Sequence, residues 1–233
     1  MQALRTGSAI RRLGIILAAC GVAAPLTFAA GTIIAGAAYP GYSHSRQLIS
    51  ELATVDSPVA VLQNINFVVF GILIVVFARG LHAAIAGADR SAWGPILFAF
   101  SGAANIVDAF LPCDRGCELT SLTGSLHDWI SMFAFLSALA GIYVVSRRLS
   151  ADPQWGRVYA RYSVFTAAGA FVMLGVWLAI GAPSPAWLPR IFTRVPSVNG
   201  TLQRIVVLIV LVWIEVMALR QARLMQGSPD RSR

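Results

Sequence analysis

Long apolar runs separated by short polar segments dominate the chain from residue 14 to residue 220. The six runs are at about 14–38, 59–79, 93–112, 127–146, 162–181 and 203–220. Each run approaches the roughly 20 residues that an α-helix needs to cross a hydrocarbon core of about 30 Å. Continuous apolar runs also favour helices over the alternating strands of a barrel. The pattern therefore predicts an all-α integral membrane protein, a bundle of six transmembrane helices.

Composition supports this prediction. The chain is 57% hydrophobic and 12% charged over 233 residues, and its mean hydropathy is +0.71. These values lie outside the range of ordinary soluble domains. We expect a single membrane domain over residues 1–225 and a disordered cytoplasmic tail over 226–233.

The first apolar run leaves two interpretations open, because Arg5, Arg11 and Arg12 precede it. A basic start followed by an apolar stretch is also typical of a secretory signal peptide. The run is longer than the core of a signal peptide, which is about 7 to 15 residues. A first transmembrane span is therefore the favoured interpretation.

The placement of arginine predicts the orientation. With a cytoplasmic N-terminus, 13 of the 18 basic residues fall in inner segments and five in outer ones. The positive-inside rule then places both termini in the cytoplasm. We expect the protein to be integral to the plasma membrane. The net charge is +8, but the basic residues lie between the apolar runs and form no stripe with aromatic residues. No nucleic-acid partner is therefore expected.

The first outer segment carries an unusual pattern. Tyr39-Pro40-Gly41-Tyr42 is turn chemistry, and apolar residues follow at helical spacing at Leu48, Ile49 and Leu52. This pattern predicts a short interfacial helix within residues 43–53 that packs back on the bundle.

Polar residues cluster at the predicted outer ends of the first four spans. Ser101, Asn105 and Asp108 share one face of the third helix because they are spaced at i, i+4 and i+7. The other members of the set are Arg46, Ser50, Glu51, Gln63, Asn64, Asn66, His127, Asp128 and Ser131. Charged side chains inside spans are costly and often functional. We therefore expect an outward-facing polar pocket that recognises a lipid headgroup or a small ligand.

Structural roles compete with this interpretation. Asn and Ser in membrane helices commonly bond across helix pairs, as Asn64, Asn66 and Asn105 would. Arg46 and Glu51 would then form an ordinary surface pair, and Asp128 would favour the positive end of its helix dipole. For Asp108 and His127 a functional role is as strong a hypothesis as a structural one, because a histidine beside a carboxylate can transfer protons.

Two enzymatic patterns are excluded. The three histidines are His44, His82 and His127, and the predicted topology places His82 on the opposite side from the other two. A three-histidine zinc site is therefore impossible on this topology. A site of His127, Asp108 and a second carboxylate stays open as a weaker alternative. The sequence contains no Gly-x-Ser-x-Gly elbow. We expect no metal and no cofactor.

Cys113 and Cys117 flank a short polar segment of the second outer loop. A disulfide is the main interpretation because the outer compartment is oxidising. Free reactive thiols are the alternative, and the three-residue spacing does not match common redox motifs.

Three stretches resemble a known family. They are Tyr39-Pro-Gly-Tyr-Ser-His-Ser-Arg-Gln-Leu-Ile-Ser-Glu-Leu-Ala, then Ser57-Pro58 with Asn64, and Leu111-Pro-Cys-Asp with His127-Asp128. Together they are similar to the bacterial multispanning proteins grouped as domain of unknown function 998. The resemblance implies six membrane helices and brings no established activity. Ile49-Ser50-Glu51 also faintly resembles the Frag1/DRAM/Sfk1 membrane proteins.

Three functional hypotheses follow. The first is a multi-pass protein that recognises a lipid or small ligand at the polar pocket. The second is an intramembrane lipid hydrolase or transferase with His127 as the base and Asp108 as orienter or acid. The third is a small proton-coupled transporter that uses Asp108 and Glu215. Membrane lipids are the expected partners, and the sequence also allows a homo-oligomer.

Overall fold

Six α-helices build the protein in a computed structural model that describes residues 2–85, 91–180 and 195–227. The helices are α1 Gln2–Ala38, α2 Ala60–Ala84, α3 Trp93–Asp108, α4 Leu122–Ala151, α5 Gly156–Ile180 and α6 Asn199–Gly227. Short 3₁₀ helices cover Ser50–Ala53, Arg115–Cys117 and Pro196–Val198. The described ranges contain no strand, and the prediction of an all-α chain is confirmed for them.

Five of the described helices are long and apolar enough to cross a membrane, and they are α1, α2, α4, α5 and α6. The exception is α3, which has 16 residues and a length of about 24 Å. It ends at Asp108, whereas the predicted third span continues to residue 112. Leu111 precedes Pro112 and instead closes a turn onto the Asp108 carbonyl at 3.2 Å, because proline disfavours helical backbone in the residue before it.

The ends of two further helices, α4 and α6, differ from the ends of the predicted spans. α4 begins at Leu122, five residues before the predicted start, because the Ser121 hydroxyl accepts the Gly124 N–H at 2.9 Å. α6 continues through Gly227, two residues into the predicted tail. The remainder of that tail lies outside the described residues.

The six helices form a ring in which each helix packs against the next and α6 packs against α1. The upper end of the bundle holds the α1–α2 connection (39–59), the α3–α4 connection (109–121) and the start of α6. The lower end holds the start of α1, the end of α2 and the end of α4. Arg11 of α1 donates to the Met225 carbonyl of α6 at 2.9 Å, so the ring is also closed at its lower end.

Glycines allow close approach between α2 and α3. A Cβ added to Gly71 would overlap the Gly102 carbonyl oxygen, and a Cβ on Gly102 would lie 2.7 Å from the Gly71 oxygen. The two backbones are therefore in direct contact, which is a common way to pack membrane helices.

The predicted interfacial helix within residues 43–53 is wrong in extent. The observed helix is a single 3₁₀ turn, Ser50–Ala53, preceded by a turn at Ser43–Gln47. The predicted packing direction agrees with the structure, since Leu48, Ile49 and Leu52 are buried. The Glu51 carboxylate accepts the Leu48 N–H at 2.8 Å, which fixes the backbone at the start of this turn.

Candidate functional site

A cavity of about 90 Å³ lies inside the bundle, towards its upper end. Side chains of α1, α2, α3, α4 and α6 line it, and Ile49 and Ser50 of the α1–α2 connection complete its wall. About 10–15 Å³ of such space admits one water molecule. The cavity therefore has room for several waters or for a small organic group.

The lining is amphipathic. Its polar members are Ser50, Ser101, Asn105, Asp108, Ser131 and Gln203. Its apolar members include the five phenylalanines Phe28, Phe67, Phe70, Phe98 and Phe135. Phe98 precedes Asp108 on α3 by ten residues, so it lies about 15 Å deeper in the bundle. A ligand with a polar group facing upwards and an apolar body facing downwards would match this lining.

Asp108 supplies a carboxylate to the cavity. The residue is 6% exposed, and its Oδ2 accepts a hydrogen bond from the Ser131 hydroxyl at 2.6 Å. Its Oδ1 is buried without a hydrogen-bond partner among the described residues. Buried polar atoms are normally bonded, so this oxygen is available to a ligand.

His127 lies next to this carboxylate but does not line the cavity. Its Nδ1 lies 2.6 Å from the Leu111 carbonyl oxygen and 3.7 Å from Asp108 Oδ1. A carbonyl oxygen only accepts, so we assign the hydrogen to Nδ1 and direct it at Leu111. Nε2 then faces the Ser131 hydroxyl oxygen at 3.4 Å.

Gln203 is a site residue that the sequence interpretation missed. Its Oε1 accepts the Ile49 N–H at 2.7 Å, which fixes the side-chain amide at the cavity wall. The signal was the α6 stripe Gln203, Val207, Val210, Leu211 and Ile214, which has helical spacing and lines the cavity throughout.

Arg204 fixes the α1–α2 connection to the start of α6. Its Nη1 donates to the carbonyl oxygens of His44 and Gln47 at 2.7 and 2.8 Å. Its Nη2 donates to the Tyr42 hydroxyl at 2.6 Å. This guanidinium is therefore committed to holding the upper wall of the cavity.

Burial shifts the titration of two side chains in this connection. It raises the pKa of the Tyr42 hydroxyl, and the positive charge of Arg204 offsets part of that rise. Burial, followed by the charge of Arg204, lowers the pKa of the His44 ring. We therefore expect both side chains to be neutral near pH 7.

Several predicted site residues lie elsewhere. Arg46 is exposed, and in the part of the chain that is described it forms no ion pair with Glu51. Glu51 instead accepts hydrogen bonds from its own connection. Asn64 and Asp128 are half-buried and absent from the lining. Of the polar residues predicted for the pocket, five line the cavity, and they are Ser50, Ser101, Asn105, Asp108 and Ser131.

Two further amides of α2 have separate surroundings. Asn66 donates to the Phe28 carbonyl oxygen at 3.1 Å and joins α2 to α1. Gln63 is fully buried, and neither of its amide atoms has a partner in the described ranges. Neither residue lines the cavity.

The α3–α4 connection is held by a disulfide between Cys113 and Cys117. Asp114 between them accepts hydrogen bonds from the Ser121 hydroxyl and from the backbone N–H groups of Thr120 and Ser121, at 2.7 to 2.8 Å. These bonds, led by the Ser121 hydroxyl, lower the pKa of Asp114 to about 2. The connection is therefore a fixed structure at the upper end.

No metal centre is formed by the residues the structure describes, since no three of their His, Cys, Asp and Glu side chains come together to hold an ion. The chemistry of the cavity thus depends on one carboxylate, three hydroxyls and two amides.

Comparison with known proteins gives a family. No curated protein and no solved structure matches the chain. The resemblance to domain of unknown function 998 is confirmed, while the fainter similarity to Frag1/DRAM/Sfk1 proteins stays a prediction. A family model covers residues 22–220, and the chain belongs to the family described as protein of unknown function (DUF998).

Proposed function

We propose that this membrane protein binds a small ligand, or the head of a lipid, in the cavity. The observation that carries the proposal is a buried carboxylate oxygen that has no hydrogen-bond partner in the lining of an amphipathic cavity. This atom is Oδ1 of Asp108, which has no partner within the described residues, and the side chains of Asn105 and Gln203 line the same space. Small-molecule sites typically combine apolar walls with a few such polar groups.

Six membrane crossings form part of this proposal. α3 is short, yet it packs between α2 and α4, and its two ends meet connections at opposite ends of the bundle. A bilayer accommodates a short helix by local thinning at modest cost. The upper end then faces away from the cytoplasm, as the arginine distribution predicts.

Cysteine labelling tests the orientation. In a Cys20→Ala background, Val55→Cys introduces an exposed thiol at the upper end, and Ser150→Cys introduces one at the lower end. We expect a membrane-impermeant maleimide to label the first variant in intact cells and the second only after lysis. The reverse pattern would place the cavity opening on the cytoplasmic side.

Filling the cavity tests ligand binding. Ala138 is 3% exposed and lines the cavity, whereas Ala140 on the same helix is exposed. Mass spectrometry of compounds extracted from purified protein should find a ligand with the wild type and with Ala140→Leu. We expect Ala138→Leu to reduce it about tenfold, because leucine occupies the space the ligand needs. Equal extracts from all three proteins would contradict the proposal.

A lipid hydrolase or transferase is the second candidate, and one observation favours it. The Ser131 hydroxyl lines the cavity 3.4 Å from Nε2 of His127, whose other ring nitrogen is held by a carbonyl. A nucleophile near an oriented base is the arrangement that acyl transfer requires. The hydrogen bond from Ser131 to Asp108 competes with this role.

A fluorophosphonate probe distinguishes catalysis from binding. The Ser131 oxygen would form a bond to phosphorus, fluoride would leave, and the hydroxyl proton would pass to His127. Labelling should vanish in Ser131→Ala and persist in Ser137→Ala, whose hydroxyl bonds only to its own helix. Absence of labelling in the wild type would remove the enzyme candidate.

Proton-coupled transport remains the third proposal. Glu215 is half-buried on α6 and lies outside the cavity lining, one residue beyond Ile214. Leu211 and Ile214 make the neighbouring wall apolar, and proton pathways normally follow polar residues. This proposal therefore ranks below the other two.

A further inference from the structure

We propose that the cavity selects an organic cation, an ammonium group with small apolar substituents. This inference rests on the proposed function, because it assumes that the cavity is a binding site, and it names the ligand class.

The charge of the lining supports a cation. Among the described lining residues, Asp108 alone is ionisable. Its Oδ1 is buried and unbonded, and a buried carboxylate oxygen without a partner is costly. A ligand carrying a positive charge and an N–H or polarised C–H group would supply the missing partner.

Nearby cationic side chains are engaged elsewhere. Arg204 follows the lining residue Gln203, but its guanidinium donates to three carbonyl oxygens and the Tyr42 hydroxyl. His127 directs its Nδ1 hydrogen at Leu111 and not at the carboxylate. An anionic head such as phosphate would therefore find no charged donor in the described lining.

Helix geometry adds to the same preference. Asp108 is the last residue of α3, where the helix macrodipole is negative. Cations are favoured at this end of a helix and anions are not. The carboxylate and the helix terminus thus act in the same direction.

Aromatic rings surround the remaining space. Phe28, Phe67 and Phe70 line one side of the cavity, with the Phe28 ring 4.6 Å from that of Phe70 and 6.1 Å from that of Phe67. Phe98 and Phe135 contribute two further rings. Cages of aromatic faces recognise quaternary ammonium groups through cation–π attraction. The walls therefore suit alkyl groups attached to a positive nitrogen.

Size limits the part of the ligand that is enclosed. A cavity of about 90 Å³ is smaller than the roughly 150 Å³ cavities that accept benzene. It would enclose an ammonium head and little more. A free ammonium compound and an ammonium-bearing lipid head share this chemistry.

Three probes of similar shape test the charge preference on full-length protein purified in dodecyl maltoside. The cation is choline, the neutral analogue is 3,3-dimethylbutan-1-ol, and the anion is 3,3-dimethylbutanoate. Titration calorimetry should show choline binding at least about tenfold more tightly than the alcohol, and the anion not binding.

Variants assign this preference to the carboxylate. Asp108→Asn should lose most of the preference for choline, because only the aromatic rings and the helix end still favour the cation, whereas Asp108→Glu should retain more of it. Asp128→Asn removes a half-buried acid outside the lining and should behave as the wild type. Gel filtration and circular dichroism of each variant report whether it is folded.

Each contrary outcome is decisive. Equal binding of choline and the alcohol to the wild type, absence of choline binding, or preference for the anion would overturn the cation inference. Loss of the preference for choline in Asp128→Asn but not in Asp108→Asn would show that Asp108 is not the carboxylate that attracts the cation. A compound that copurifies with the wild type and is lost in Ala138→Leu would still support ligand binding, so the two failures are distinguishable.

One additional probe separates the two ligand sources. Hexyltrimethylammonium carries the same head on a short chain. If it binds more than about tenfold tighter than choline and depends on Asp108, the ligand is a lipid head. Equal affinities would indicate a free cation.

Discussion

Two buried polar clusters occupy opposite ends of the bundle, and they differ in how their atoms are bonded. At the lower end, Arg148 is 2% exposed and donates to the Ile85 carbonyl oxygen at 2.7 Å and to the His82 carbonyl oxygen at 3.4 Å. It also lies 3.1 Å from His82 Nδ1. At the upper end, Asp108 is equally enclosed, but one of its oxygens has no partner in the described residues.

This difference separates a structural from a functional use of a charge. Arg148 binds carbonyl groups at the end of α2, where a helix always leaves acceptors unbonded, and Trp155 adds a bond to Ala84 at 3.2 Å. Asp108 occupies a helix end that disfavours its own negative charge. A buried charged side chain whose hydrogen bonds are made to the protein backbone stabilises the fold. A buried charged side chain with an unbonded atom in a cavity lining indicates a ligand-binding role.

Removing the lower cluster should have the largest effect on stability. We expect Arg148→Met to lower the free energy of unfolding by about 3 kcal/mol, because it leaves the carbonyl groups of His82 and Ile85 without this donor. The shift is measured as thermal loss of the monodisperse gel-filtration peak. Arg147→Met is the matched control, since Arg147 is exposed. A similar small shift for both variants would contradict the structural role.

Disturbing the upper wall should have the next largest effect. A Cβ on Gly200 would overlap the Gln47 carbonyl oxygen and lie 2.6 Å from that of His44. Both are backbone atoms that Arg204 also binds, so Gly200→Ala should cost about 2 kcal/mol and weaken ligand binding. Gly175→Ala on α5, with no atom within 4 Å of its Cβ, should be neutral or slightly stabilising. Unchanged ligand binding in Gly200→Ala would show that the connection does not shape the cavity.

Much of the fold could be predicted because hydrophobic runs determine helices in a bilayer. The end of α3 could not, since the runs continue past Asp108 as apolar Ala109, Phe110 and Leu111. Only the backbone constraint from Pro112 marks that end. Hydrophobicity thus located the helix but did not determine its last turn.

The candidate site was predicted in part for a related reason. Helical spacing grouped Asn105 and Asp108 on one face, and both line the cavity. The same reasoning could not distinguish Arg147 from Arg148, which are chemically identical neighbours with opposite exposure. Gln203 lines the site because α6 packs against α1, and the spacing of residues along one helix cannot predict a contact between helices.

Neutralising Asp108 should affect stability less than either change above. We expect Asp108→Asn to alter the free energy of unfolding by less than about 1 kcal/mol, because Ser131 still has an amide oxygen to donate to and Oδ1 loses no bond. Most of the preference for choline over the neutral alcohol should nevertheless be lost. The measurement is the same thermal assay combined with the choline titration. Destabilisation as large as that of Arg148→Met would show that Asp108 serves the fold.

The smallest effect is expected outside the bundle, at Asp114. Hydrogen bonds from Ser121 and Thr120 lower its pKa from 3.8 to about 2, so the ionised carboxylate is favoured by the folded connection. Its contribution to stability is complete above the ordinary pKa and is lost as the pH falls towards 2. Amide chemical shifts of Thr120 and Ser121 should titrate near pH 2 and remain constant in Asp114→Asn. A midpoint near 3.8 would mean that these bonds do not favour the charge. Because Asp114 is solvated, its protonation should leave the cavity and its ligand unaffected.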